Sequence, residues 1–424
     1  MTTGTTTAPP PLARLLVAGS GIMMLANSIS IPFLAVFLRR ELGLEPGTIG
    51  FVVGSSVFFA IFAGLVGGSV SDVLGRTPLL LLSLVGVVVS FVGFYFSHSL
   101  ASVFVFNATL SLSSSSFGPV AKALLSDLLP QERRVKWFSY QYLAVNIGFS
   151  AGPMIGAFTG LSGGRETFLI AAVVYVGYFA LLGLTMLLRP SDAAGPTRHT
   201  TDESKLSGQV LEGLKGSFRA VATDRTLLCL IIAGLLLEAV HSKISGVLAQ
   251  HLSLGFEDGV KILSYLLTTN AVTVVLFQLL ASRISQKLEP VRSIVLGGLL
   301  MFAGMAGFGL SGEAWQFIVA MVVFSIGETF IIPAEFAIID RIAPEDRRGS
   351  YFGAQTIAQL GGFVGPFAGG LILAWYGGTA MFFVLGSFAL FSVLIYLVVG
   401  RRIPGLTRRE EHTTAKETVS HEQA

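Results

Sequence analysis

Pro119 to Gly156 reads PVAKALLSDLLPQERRVKWFSYQYLAVNIGFSAGPMIG, and Pro333 to Gly369 reads PAEFAIIDRIAPEDRRGSYFGAQTIAQLGGFVGPFAG. The two stretches align at an offset of 214 residues, which falls to 213 ahead of the Gly-Pro step. Pro119, Pro130, Arg133, Arg134, Phe138 and Gln141 meet Pro333, Pro344, Arg347, Arg348, Phe352 and Gln355. Gly148, Gly152, Pro153 and Gly156 meet Gly361, Gly365, Pro366 and Gly369. An offset of half the 424-residue chain makes the protein two copies of one unit, and an internal repeat dictates the architecture before any single element does.

Composition names the solvent of those two units. The chain is 52% hydrophobic and 12% charged, with a mean hydropathy of +0.74. A water-soluble chain carries about 25% charged residues, so lipid must cover much of this surface. Crossing a bilayer takes about 20 apolar residues. Twelve such runs are legible, at 12–38, 48–71, 78–98, 100–125, 137–160, 167–188, 227–250, 259–282, 291–311, 315–339, 351–376 and 377–399. The predicted fold class is therefore all-α and integral to the membrane, with twelve transmembrane helices in two pseudo-symmetric six-helix bundles. The lone cysteine, Cys229, lies in an apolar run and excludes a disulfide framework. The opening MTTGTTTAPPPLAR lacks the basic start and cleavage site of a removed signal peptide, so the first run reads as a true span.

The domain plan is a tail (1–11), an N-terminal bundle (12–188), a linker (189–226), a C-terminal bundle (227–399) and a second tail (400–424). The linker begins with the flexible composition PSDAAGPTRHTTDES. It continues with Val210, Leu211, Leu214, Phe218 and Val221 at helical spacing, the pattern of a helix lying on a membrane surface. With the N-terminus placed in the cytoplasm, 22 of the 28 Lys and Arg residues fall on the cytoplasmic side. Arg39, Arg40, Arg165 and Lys261 fall outside, and Lys122 and Lys243 lie inside apolar runs. That bias predicts both termini in the cytoplasm. The net charge of +3 thus reflects topology, and no nucleic-acid partner is expected.

Between spans 2 and 3 the chain reads Gly68-Ser-Val-Ser-Asp72-Val-Leu-Gly75-Arg76-Thr-Pro. Twelve spans, a half-chain repeat and this G-x-x-x-D-x-x-G-R loop resemble the major facilitator superfamily, in its twelve-helix drug:proton antiporter form. The resemblance implies that Asp72 faces the N-terminus of span 11, where the helix dipole favours an anion. It also implies that Arg76 answers an acid at the end of span 4, which here is Asp127, so that Gly68, Asp72, Gly75, Arg76 and Asp127 form a cytoplasmic gate. A second motif, Gly148-x-x-x-Gly152-Pro153-x-x-Gly156 on span 5, looks like the signature of the proton-coupled exporters. Small residues at this spacing let helices approach closely, and in the family this face packs on span 8. One departure is Asn107, which stands where many exporters carry an arginine on span 4, so an N-terminal-half arginine relay is not expected here. The resemblance further implies a monomer.

Ionisable groups at membrane depth are expensive and mark function by default. Glu238 and Glu328 stand near the midpoints of spans 7 and 10, which in this fold line the central cavity with spans 1 and 4. A carboxylate shielded from water can load and release a proton in the neutral range. Glu238 and Glu328 are the proton-coupling or substrate candidates, with His241 three residues after Glu238 on the same helical face. Lys122 and Glu335 read as interfacial or cross-helix charges. The polar cavity candidates are Asn27, Asn107, Ser111, Tyr140, Asn146, Asn270 and Gln355, and Phe58, Phe59 or Phe330 would suit an aromatic cargo. No P-loop, nucleophile elbow, H-E-x-x-H or Cys/His metal spacing occurs, so no enzyme activity, metal or cofactor is expected. The expected function is proton-coupled export of small amphipathic or cationic compounds by alternating access between two bundles. The alternative on the same fold is proton-coupled uptake of a small nutrient.

Overall fold

The computed structural model describes residues 10–74, 76–158, 163–188, 219, 221–241, 244–285, 288–344, 351 and 354–401. The regular elements among them are helices. Span 1 is α1 (Pro11–Ser30), a 3-10 turn at Ile31–Phe33 and α2 (Leu34–Leu42). The break falls at Pro32, whose ring supplies no N–H to the helix, and Ser30 there donates to the Thr167 carbonyl at 2.9 Å. Spans 2 to 6 are α3 (Pro46–Leu74), α4 (Arg76–Phe96), α5 (Leu100–Leu128), α6 (Gln131–Phe158) and α7 (Glu166–Leu188). Span 7 is α8 (Arg225–His241) followed by α9 (Ile244–Gly255). Spans 8 to 10 are α10 (Gly259–Ser285), α11 (Pro290–Leu310) and α12 (Ala314–Ile342). Spans 11 and 12 share α13 (Gly361–Gly400), which a 3-10 turn at Thr356–Leu360 precedes.

Among the described residues, ten helical stretches are long and apolar enough to cross a membrane. One of them, Thr356–Gly400, is two spans, because Gly377 at φ 80° breaks the helix. The remaining span, α6, is apolar only over Leu143–Gly156. The predicted surface helix of the linker lies almost wholly outside the described residues. With twelve spans, both chain termini come out at one end of the molecule, the termini end, opposite a far end.

The repeat holds in three dimensions at the same offset. The α5 N-terminus carries a capping box from Ser99 and Ser102, and the α12 N-terminus carries one from Glu313 and Gln316. Phe94 stacks near Phe168 at 5.1 Å, and their counterparts Phe308 and Phe382 lie 5.6 Å apart. Added Cβ atoms at Gly148 and Gly152 would stand 2.8 Å from backbone atoms of Leu25 on α1. At Gly361 one would stand 2.6 Å from the Ala239 nitrogen of α8, and at Gly365 one would stand 2.8 Å from the Ala239 carbonyl carbon. In lipid, van der Waals packing of this kind holds helices together, since there is no hydrophobic drive between them.

The halves meet through α3 with α13 and through α6 with α10. Gly47, Gly50 and Gly54 of α3 lie against Leu371, Pro366 and Phe363 of α13. Thr268 of α10 donates to the Ser150 carbonyl of α6 at 3.1 Å. Gly54 and Thr268 are 214 apart, so the two seams are copies of one contact. Both lie in the far-end parts of their helices, Phe51, Phe58, Phe363 and Phe367 cluster beside the first, and α2 of one half meets α9 of the other at the same end. The far end is therefore closed.

Candidate functional site

Three acids of the C-terminal half, Glu238, Glu328 and Glu335, lie on α8 and α12. Glu238 and His241, one turn apart on α8, bring Oε2 and Nε2 to 3.6 Å. The other ring nitrogen, Nδ1, lies 3.2 Å from the Leu237 carbonyl. Nδ1–H can then donate to that carbonyl, leaving Nε2 facing the carboxyl group. Glu328 of α12 is held from the neighbouring span, where Asn270 Nδ2 donates to its Oε2 at 3.1 Å and to Ser325 Oγ at 2.9 Å. Two turns nearer the termini end, Glu335 accepts from the Tyr396 hydroxyl at 3.1 Å. Gly234 of α8 leaves room for it, as a Cβ there would sit 3.3 Å from Glu335 Oε1.

Glu238 opens into a cavity of about 290 Å³ between the halves, with Gln359 beside it and Asn27, Ser56, Asn107, Ser111, Ser114 and Ser115 opposite. Asn107 also donates to the Val52 carbonyl at 2.7 Å, and Ser111 donates to the Ser56 carbonyl. The N-terminal wall is thus neutral and hydrogen-bonding, and the C-terminal wall supplies the charge. A larger recess of about 590 Å³ runs from Asn27 and Ser114 into the N-terminal half. Met23, Met24, Leu84, Val87, Phe117, Phe138, Val145 and Tyr175 make it apolar, and Ser20, Gln141 and Lys122 give it polar points. Gln141 Nε2 donates to Ser20 Oγ at 2.9 Å.

The predicted residues sort by this geometry. Glu238, Asn27, Asn107 and Ser111 line the central cavity, Asn270 donates to Glu328, and His241 lies beside Glu238. Tyr140 is exposed beside Trp137. Tyr140, Asn146 and Gln355 are not among the lining residues of either cavity. Phe58 belongs to the seam between halves, Phe59 packs on Phe104 and Phe330 is buried, so none offers an aromatic cavity wall. Lys122, read as interfacial, lines the recess. Glu335 makes its cross-helix bond to Tyr396, and Lys243 lies outside the described residues.

Arg76 and Asp127 form the expected ion pair at the termini end. Gly75 and the side chains of Gly68 and Asp72 lie outside the described residues. The span 5 motif needs correction. Gly148 and Gly152 pack on α1 of their own half and not on span 8. Span 8 is met by Ser150, which projects about 200° around the helix from Gly148. The small-residue face that does join the halves is Gly47, Gly50 and Gly54 on α3. It and the recess went unrecognised in the sequence. The glycine spacing was there to find, whereas Met23, Phe117 and Phe138 look like ordinary core.

Known proteins match this arrangement over nearly the whole chain. The family model described as Major Facilitator Superfamily matches residues 16–259 and again 230–421. An uncharacterized MFS-type transporter of Bacillus subtilis (strain 168), YqjV, is 30% identical over 87% of each chain. A Na(+), Li(+), K(+)/H(+) antiporter of Planococcus maritimus is 28% identical, covering 91% of this chain and 94% of its own. The quinolone resistance protein NorA of Staphylococcus aureus (strain COL) is 23% identical, covering 89% and 93%. The repeat, the twelve spans and the whole-length match place the chain in the Major Facilitator Superfamily, as an integral membrane transporter and not an enzyme.

Proposed function

We propose that the protein is a proton-coupled antiporter that exports small amphipathic or cationic compounds, working as a monomer with both termini in the cytoplasm. The observation that carries the reading is Glu238, paired with His241 and open to the cavity between the halves. A protonated carboxyl group can cross with the cavity closed, while an ionised one resists closure unless a cation neutralises it. Proton and cationic cargo therefore alternate. Glu328, positioned by Asn270, extends the proton-holding group across spans 7, 8 and 10. The excess of Lys and Arg at the termini end supports a cytoplasmic assignment for that end, so the closed far end makes this state inward-facing. The names of two relatives, a cation/proton antiporter and a quinolone resistance protein, support exchange and efflux.

The test is ethidium accumulation in a bacterium stripped of its own efflux pumps, with and without a protonophore. Wild type should lower accumulation, and the protonophore, Glu238→Gln and Glu328→Gln should each abolish the effect. Unchanged accumulation with confirmed membrane expression sinks the reading. The antiporter relative favours a second one, exchange of alkali cations for protons. In everted vesicles loaded with acridine orange, dequenching by added NaCl but not by ethidium would select it.

A further inference from the structure

We infer that the recess of the N-terminal half is an anion-selective cargo subsite, which takes an aromatic or lipophilic carboxylate with its charge on Lys122. The inference rests on the reading above that the central cavity holds cargo, and it adds a carboxylate to the basic group that alternates there with the proton. Ser114, Gly118 and Lys122 stand at i, i+4 and i+8 on α5 and all line the recess, so they form one column on one helix face. The column is about 12 Å long, at 1.5 Å per residue, which is the length of a two- or three-ring aromatic acid. Its middle is vacant, because a Cβ added at Gly118 would meet nothing within 4 Å. Its end is the only charged group among the recess lining, and no carboxylate among the described residues pairs with that ammonium. Met23, Met24, Phe117 and Phe138 supply an adaptable apolar wall for a ring system.

The repeat shows that this is a property of one half. The counterparts of Ser114, Gly118 and Lys122 at the 214 offset are Glu328, Ile332 and Phe336. The C-terminal half carries an acid at the head of the column and bulky apolar residues where the N-terminal half is open. Likewise Met24 and Asn27 stand where Glu238 and His241 stand in the second copy. Charge for protons is thus confined to one half, and free volume with a cation to the other. Because the recess and the cavity of Glu238 share Asn27 and Ser114, an amphoteric cargo can set its acid on Lys122 and direct its base toward Glu238.

The experiment measures binding of 1-pyrenebutyrate and of its methyl ester to the purified full-length protein by fluorescence polarisation, in phosphatidylcholine nanodiscs. The acid should bind at least about tenfold more tightly than the ester, a difference of about 1.4 kcal/mol. Lys122→Gln should bring the acid's affinity down toward the ester's, and Lys122→Arg should keep the preference. Gly118→Leu, whose Cβ would meet nothing within 4 Å, extends into the recess and should weaken both ligands about tenfold or more. Equal affinity of acid and ester for the native protein, an acid preference that survives Lys122→Gln, or intact binding in Gly118→Leu would each overturn the proposal. A parallel arm in phosphatidylglycerol nanodiscs separates cargo from lipid. If the anionic lipid abolishes acid binding, a headgroup is the anion at Lys122 and the cargo assignment falls. Binding needs no proton gradient, so lost export with intact binding counts against coupled export alone.

Discussion

Replacing Gly50 by alanine tests whether the seam between α3 and α13 is a moving contact. The new Cβ would stand 2.8 Å from the Pro366 carbonyl carbon and 3.1 Å from the Phe367 Cα. Carbon atoms in ordinary contact are about 3.5–4.0 Å apart, so the helices must part by about 1 Å. The obstructing atoms are backbone, and no rotamer change relieves them. Overpacking of this kind costs about 1–3 kcal/mol. Spans 2 and 11 belong to opposite halves, so the cost falls on the far-end-closed state alone and shifts the equilibrium about 5- to 150-fold toward the opposite one. Gly148→Ala makes an equally tight contact, 2.8 Å from the Leu25 nitrogen, but inside one half. It should lower the melting temperature without moving the equilibrium. Spin labels at Arg40 and Lys261, at the far end on opposite halves, read the difference in a Cys229→Ser background. Gly50→Ala should lengthen the measured distance and Gly148→Ala should not. An unchanged distribution in Gly50→Ala, or the same lengthening in both variants, would refute the reasoning.

Three further outcomes follow from named contacts. Arg165 donates to Glu41 at 2.9 Å and to the Tyr95 and Ser97 carbonyls at 3.0 and 2.8 Å, with its guanidinium 5.4 Å from the Phe37 ring centroid. Arg165→Met should therefore destabilise the protein by about 2 kcal/mol, and Glu41→Gln by much less, as seen in thermal unfolding in detergent. Arg76→Asp and Asp127→Arg should each impair transport, and the double exchange should restore part of it in the dye assay. An effect of charge alone on membrane insertion would show no such recovery. Asn270 donates to Glu328 at 3.1 Å, so Asn270→Ala should weaken export in the dye assay, while Ser311→Ala, whose hydroxyl bonds only its own helix at Gly307, should leave it in place.

Much of the fold was legible because it rests on repetition. Pairs such as Pro130 with Pro344 and Gly152 with Gly365 disclose the duplication without any knowledge of packing, and apolar run lengths then count the spans. The Glu238–His241 pair was legible for a local reason, since i and i+3 share a helix face. Its companion was not. Asn270 and Glu328 meet only because spans 8 and 10 are neighbours, which no spacing in the chain encodes. The partner of Gly148 was misassigned for the same reason, as a small-residue stripe says that a helix approaches closely but not which one. Gly47, Gly50 and Gly54 were lost among 49 glycines. The recess was invisible because Gly118 matters through what is absent around it, and volume has no letter in a sequence.

The unequal fates of Met24 and Glu238, and of Ser114 and Glu328, bear on how such a protein can evolve. A duplicated ancestor begins with both copies under the same selection. Under the coupling proposed above, keeping the ionisable groups in one copy releases the equivalent positions in the other from energy conversion. Changes at Met23, Met24, Phe117 or Val145 can then be inherited singly, each altering what fits without disturbing how transport is driven. Natural variants that differ in the compounds they carry should accordingly differ first in the N-terminal copy, and their C-terminal copies should remain interchangeable in chimaeras.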